Sequence, residues 1–143
     1  MNQLIRPGSS LGGARPKATV VDTKDQLWIA KFPSKNDEND TGAWEKVVHD
    51  LAAFCGLNVP EAKLEKFSPL GSTFLIKRFD RIGSKRIHFA SAMTLLGKTD
   101  GASAADGSSY LDIAAFIKSY GAHPKKDLIE LWKRIVFNMA VSS

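Results

Sequence analysis

The sequence predicts an α+β fold. Short apolar or β-branched runs of strand length recur between turn residues, one strongly periodic helix interrupts them, and two more helices close the chain. No segment repeats, so repeat architectures are excluded. With 143 residues and 43% hydrophobic content, the chain buries a core of ordinary size without a disulfide framework or a structural metal.

The elements follow in order. Residues 6–16, rich in Pro, Gly and Ser, carry loop chemistry. The β-branched run Lys17, Ala18, Thr19, Val20, Val21 is the first clear strand, and residues 22–26 form a hairpin turn lacking the Asn-Gly signal. A second strand covers residues 27–32, apolar on both faces except for Lys31. Trp44, Val47, Val48, Leu51, Ala52 and Cys55 then recur at helical spacing, predicting a helix over 42–55 that Gly56 stops. Strands are predicted near 62–66 and 73–79, with a further extended segment to about residue 88. Residues 103–109 form a small, polar loop. Ile113, Phe116, Ile117 and Tyr120 share one helix face, and Pro124 opens a last helix carrying Leu128, Leu131, Trp132, Ile135, Val136 and Met139. Trp28, Trp44 and Trp132 are expected in the core, with Cys55 as a packed thiol.

The net charge of +5 is unevenly spread. Residues 1–35 carry +4 and residues 77–98 carry +5, flanking an acidic stretch of −4 over 36–76. Two separate basic blocks suit either a solvated surface or a polyanionic partner. The single cysteine, the lack of a long apolar run and an N-terminus unlike a signal peptide predict a cytoplasmic protein with no membrane span. His49, His88 and His123 have no ligand spacing, so no metal site is expected.

Lys31 carries the most chemical information. A lysine head closing an apolar strand costs several kcal/mol unless an anion meets it. The run Trp28, Ile29, Ala30, Lys31 is similar to the kinase strand motif V-A-I-K, whose lysine contacts nucleotide phosphates and pairs with a helix glutamate. Glu45, fourteen residues on, stands where such a partner belongs. The glycine-containing loop ahead of both offers backbone amides that could cradle phosphates.

Beyond these residues, the chain resembles the HipA-like serine/threonine kinases of bacterial toxin–antitoxin systems. Ser9, Ser10, Leu11, Gly12, Gly13, Ala14, Arg15, Pro16, Lys17 and Ala18 look like the family's glycine-rich loop, S-x-G-G-A-x-x-K. Gly56, Leu57, Asn58, Val59 and Pro60 look like the segment after the helix with the ion-pair glutamate, and Phe79, Asp80 and Arg81 like the F-D-R hinge motif. Phe137 and Asn138 resemble the approach to the catalytic loop. The resemblance implies a protein-kinase-like N-lobe over 1–80, with an antiparallel sheet, one main helix and a hinge at 77–80. Residues 81–143 would be the start of a helical C-lobe, cut short. It also implies that Gly12, Gly13, Ala14, Arg15, Pro16 and Lys17 surround the triphosphate of ATP. Lys31 would hold phosphate oxygens while paired with Glu45; Lys77, Arg78 and Phe79 would meet the adenine edge, and Asp80 would reach the ribose. Ser10, or Ser9 beside it, would be an autophosphorylation site, its phosphate displacing those of the nucleotide.

The departures bear on activity. The loop is not the G-x-G-x-x-G of ordinary protein kinases. The family's catalytic aspartate and its metal-binding aspartate have no match in this sequence, so the Mg²⁺-dependent step is expected only from a longer form. Such a form would phosphorylate a protein, as relatives that act on aminoacyl-tRNA synthetases do. A DNA-binding antitoxin of the HipB-like kind would restrain it, leaving DNA contact indirect. Two other readings stay open, a catalytically inactive partner-binding fragment and a basic nucleic-acid-binding module. Ending inside its larger lobe, the chain is expected to expose the final helix and to self-associate.

Overall fold

A computed structural model describes residues 15–83 and 85–141, together with the backbone of residues 5–6. Ser9, Ser10, Gly12, Gly13 and Ala14 lie outside the described residues. The chain divides into two compact units, Met1–Ile87 and His88–Ser143.

The first unit holds β1 (Ile5–Arg6), β2 (Lys17–Val21), β3 (Leu27–Lys31), α1 (Thr41–Phe54), β4 (Ala62–Ser68), β5 (Gly71–Lys77), β6 (Arg81–Ile82) and β7 (Lys85–Arg86). Five strands form an antiparallel sheet in the order β1-β2-β3-β5-β4, while β6 and β7 make a separate small hairpin. The β2–β3 turn closes without Asn-Gly because two aspartates replace it. Asp25 adopts a left-handed φ of 57°, and the Asp22 carboxylate accepts from the amides of Lys24 and Gln26 at 2.8 and 3.0 Å. Burial pushes the Asp22 carboxyl up, but hydrogen bonds from Gln26, Lys24 and the Trp28 indole outweigh it and hold the group below its ordinary value.

Register decides which side chains share a face. Val20, Trp28, Ala30 and Leu75 pack together as the buried core, with Phe32 against them. Val20 stands opposite Trp28, and Ala30 opposite Leu75. The Lys63 ammonium lies 4.3 Å from the centre of the Trp28 ring and covers it. The alternate residues Lys17, Thr19 and Val21 of β2, Leu27, Ile29 and Lys31 of β3, and Phe74 and Ile76 of β5 therefore lie on the other face.

Helix α1 packs against β5 and β4, but of the stripe the periodicity selects only Ala52 is buried. Trp44 is 62% exposed and Phe54 89%, with Val47, Val48 and Leu51 also exposed. Cys55 is exposed as well, so the expected packed thiol and core Trp44 are corrected. Gly42 and Ala52 are the buried residues of the helix, and Glu45 and His49 between them are half-buried. The sheet is met by these four residues at i, i+3, i+7 and i+10, and the close approach to strand backbone falls at Gly42, where only a glycine fits.

The second unit contains the one-turn α2 (Ala92–Leu95), a 3₁₀ turn (Ala104–Asp106), α3 (Tyr110–Tyr120) and α4 (Pro124–Val141). Serines start the first three: Ser91, Ser103 and Ser109 each accept a hydrogen bond from the turn they open. Helices α3 and α4 pack on each other, with Ile113, Phe116, Leu128, Leu131 and Ile135 half-buried. Trp132, expected in the core, is 65% exposed. Helix α2 was not legible: one turn is too short to show a period. Among the described residues no helix is long and apolar enough to cross a membrane.

Candidate functional site

The expected partners Lys31 and Glu45 meet: Lys31 Nζ lies 2.6 Å from Glu45 Oε2. Two devices set that distance. The Lys31 stem lies across Phe74, its ammonium 5.6 Å from the ring centre, and Phe74 is the cross-strand partner of Lys31. Glu45 is aimed by the docking of α1. The cap residue Asp40 accepts from the Ala43 amide at 3.1 Å, and from the amide and hydroxyl of Ser72 at the start of β5. Hydrogen bonds from Ser72 and Ala43 hold the Asp40 carboxyl below its ordinary value. Both members of the ion pair remain about a third exposed. Pairs of that exposure add only about 0–1 kcal/mol to stability, so this one is better explained by what it faces than by what it stabilises.

Lys17 stands directly opposite Lys31 across the β2–β3 ladder. The two side chains therefore leave the same end of the sheet on the same face. Lys17 also opens the strand that follows the glycine-containing segment, so the end of that segment and both lysines share one end of the sheet. The Pro16 carbonyl accepts from the Phe32 amide at 3.0 Å and extends the pairing one step beyond the ladder. Arg15 does not join the lysines. Its Nη2 bonds Asp37 Oδ1 and, at 3.0 Å, Thr41 Oγ1.

At the opposite end of the same strands lie Lys77, Arg78, Phe79 and Asp80. Lys77 and Arg78 line a recess of about 740 Å³, together with Val21, Leu27, Arg81 and Gly83. The Arg78 amide donates to the Leu27 carbonyl at 2.9 Å, and the Lys77 amide to Glu61 at 2.8 Å. Phe79 is exposed. Asp80 is only 5% exposed. Arg78 Nε and Nη2 grip its two oxygens at 2.8 and 2.7 Å, and Arg81 Nη1 bonds one of them and the Asp80 carbonyl. The carboxylate is enclosed by two guanidiniums. Hydrogen bonding from Arg78, with the nearby charges of Arg78 and Arg81, holds the carboxyl below its ordinary value against the opposing effect of burial.

Sequence reasoning missed Asp37, Thr41 and Asp40 as members of this site. The only signal was the acidic loop before α1, which reads equally well as solvated charge. Among the described residues, no three His, Cys, Asp or Glu side chains gather closely enough to hold a metal ion.

Fold and site together define an α+β chain whose third strand carries a lysine paired to a glutamate on the first long helix. The chain belongs to the HipA-like family: the model of the HipA-like C-terminal domain matches residues 9–143. No curated protein sequence matches it.

Proposed function

We propose that this chain is the ATP-binding portion of a HipA-like protein serine/threonine kinase of a toxin–antitoxin system, with residues 1–80 as its kinase-like N-lobe and 81–143 as the start of its C-lobe. The observation that carries the reading is the arrangement of Lys17, Lys31 and Glu45. Two lysines oppose each other on one face, and a glutamate orients one of them. That arrangement suits a polyphosphate, whose oxygens accept from both ammonium groups. Along β3, Lys31 to Leu27 spans about 13 Å. Phosphates at the lysine end therefore leave the base near Val21, Leu27 and the recess beside Lys77 and Arg78.

Gly12, Gly13, Ala14 and Lys17 are assigned to the phosphates on the family resemblance, and Ser10 to autophosphorylation. Asp80 is assigned to holding the chain after β5, since both its oxygens are engaged. With no carboxylate cluster among the described residues, Mg²⁺ would arrive on the nucleotide, where it neutralises phosphate charge. The transfer step is assigned to no residue described above. A longer form would phosphorylate a cytoplasmic protein, with an aminoacyl-tRNA synthetase as the first substrate to try, under a DNA-binding antitoxin of the HipB-like kind.

Calorimetric titration with ATP and Mg²⁺ tests the reading. The chain is expected to bind, and Lys31→Ala to weaken binding by at least about tenfold through loss of a charge-assisted contact. Absence of ATP binding, with salt-sensitive DNA binding in its place, would favour the basic-module alternative and defeat this one.

A further inference from the structure

We infer that Arg15 is a positioning residue: it fastens the end of the glycine-containing segment to the N-terminus of the helix that carries Glu45, and does not itself bind phosphate. The inference rests on the nucleotide-binding reading above. Arg15 Nη2 reaches both Asp37 Oδ1 and Thr41 Oγ1. The Asp37 side chain is 9% exposed, and its second oxygen accepts from the Ser34 amide at 2.9 Å. The Asp37 amide in turn donates to the Ser34 carbonyl, so the acceptor is fixed before the arginine arrives. Thr41 is the first residue of α1, next to the cap Asp40, and Glu45 lies four residues on. A connected path thus runs from Arg15 through Thr41 and α1 to Glu45 and Lys31. Nη2 thereby spends both of its hydrogens on Asp37 and Thr41, which fixes the guanidinium against the N-terminus of α1. What it offers is coupling, because placing residue 15 and seating the helix become one event.

The alternative, Arg15 as a phosphate ligand, predicts the opposite sign for one substitution. Neutralising Asp37 would then release the guanidinium and remove a negative charge near the phosphates, so ATP would bind more tightly. Under the clasp, Asp37→Asn and Arg15→Gln each weaken ATP·Mg²⁺ binding by about five- to tenfold. The double variant is then no weaker than the worse single one, because both remove the same connection. Thr41→Val, which deletes only the hydroxyl acceptor, is milder, at about two- to threefold. Amide hydrogen exchange at Thr41, Gly42 and Ala43, read without nucleotide, is expected to quicken in Asp37→Asn and Arg15→Gln alike. A parent chain that binds ATP while Asp37→Asn binds equally or more tightly overturns the clasp and leaves the nucleotide reading standing. A parent chain that binds no ATP overturns both.

Discussion

Asp80→Ala is expected to lower the unfolding free energy by about 3 kcal/mol, measured by urea denaturation near neutral pH. The carboxylate side chain is 7% exposed, and the Arg78 and Arg81 side chains around it 20% and 18%. Deleting the carboxylate leaves two guanidiniums largely out of water without their shared anion, which costs more than the pair itself contributed. It also frees Arg81, which then keeps only its bond to the Asp80 main-chain carbonyl. Asp80→Asn keeps one acceptor and should cost less. The sign of the pH dependence follows from the lowered pKa of this group. A carboxyl whose folded pKa lies below its unfolded value, near 3.9, stabilises fully above that value and loses the contribution as pH falls through the folded one. Acid unfolding of the parent should therefore steepen below about pH 4, and Asp80→Asn should flatten that slope. An Asp80→Ala variant within about 1 kcal/mol of the parent would show that the cage holds nothing.

The strands and long helices were legible because each shows a period or a stop signal of its own. The β-branched run at residues 17–21 predicts a strand with the bounds of β2. The helices expected over 42–55 and from Pro124 match α1 and α4 to within a residue where they begin. The pairing of residues 31 and 45 could be anticipated because residues 28–31 resemble the kinase strand motif whose lysine pairs with a glutamate on the next helix. The direction in which α1 faces could not. Its apolar stripe is real, yet apart from Ala52 it stays exposed, since the close approach to β5 is made at Gly42 and hydropathy does not report a need for small volume. The Arg15–Asp37 and Asp80 clusters were hidden for a related reason. Each joins charges whose partners are set by loops, and loop conformation has no period to read.

Gly42→Ala separates these two views of α1. In an exposed helix the change would stabilise by about 1 kcal/mol, because alanine is the better helix former. Here an added Cβ would stand 2.3 Å from the Ser72 carbonyl oxygen and 3.0 Å from its carbon. Both atoms belong to the backbone of a buried strand residue and cannot swing aside. The helix must lift, and the three hydrogen bonds between Asp40 and Ser72 resist the movement. The expected result is a net destabilisation of about 2 kcal/mol in thermal or urea unfolding, larger for Gly42→Val. Because Glu45 lies one turn further along the same helix, lifting it also draws the carboxylate away from Lys31. Gly42→Ala should therefore weaken ATP binding as well as stability, whereas Glu45→Gln should weaken binding with little change in stability, its ion pair being about a third exposed. A Gly42→Ala variant as stable as the parent would mean that α1 rides higher on β5, and the 2.6 Å contact between Lys31 and Glu45 would lose its structural cause.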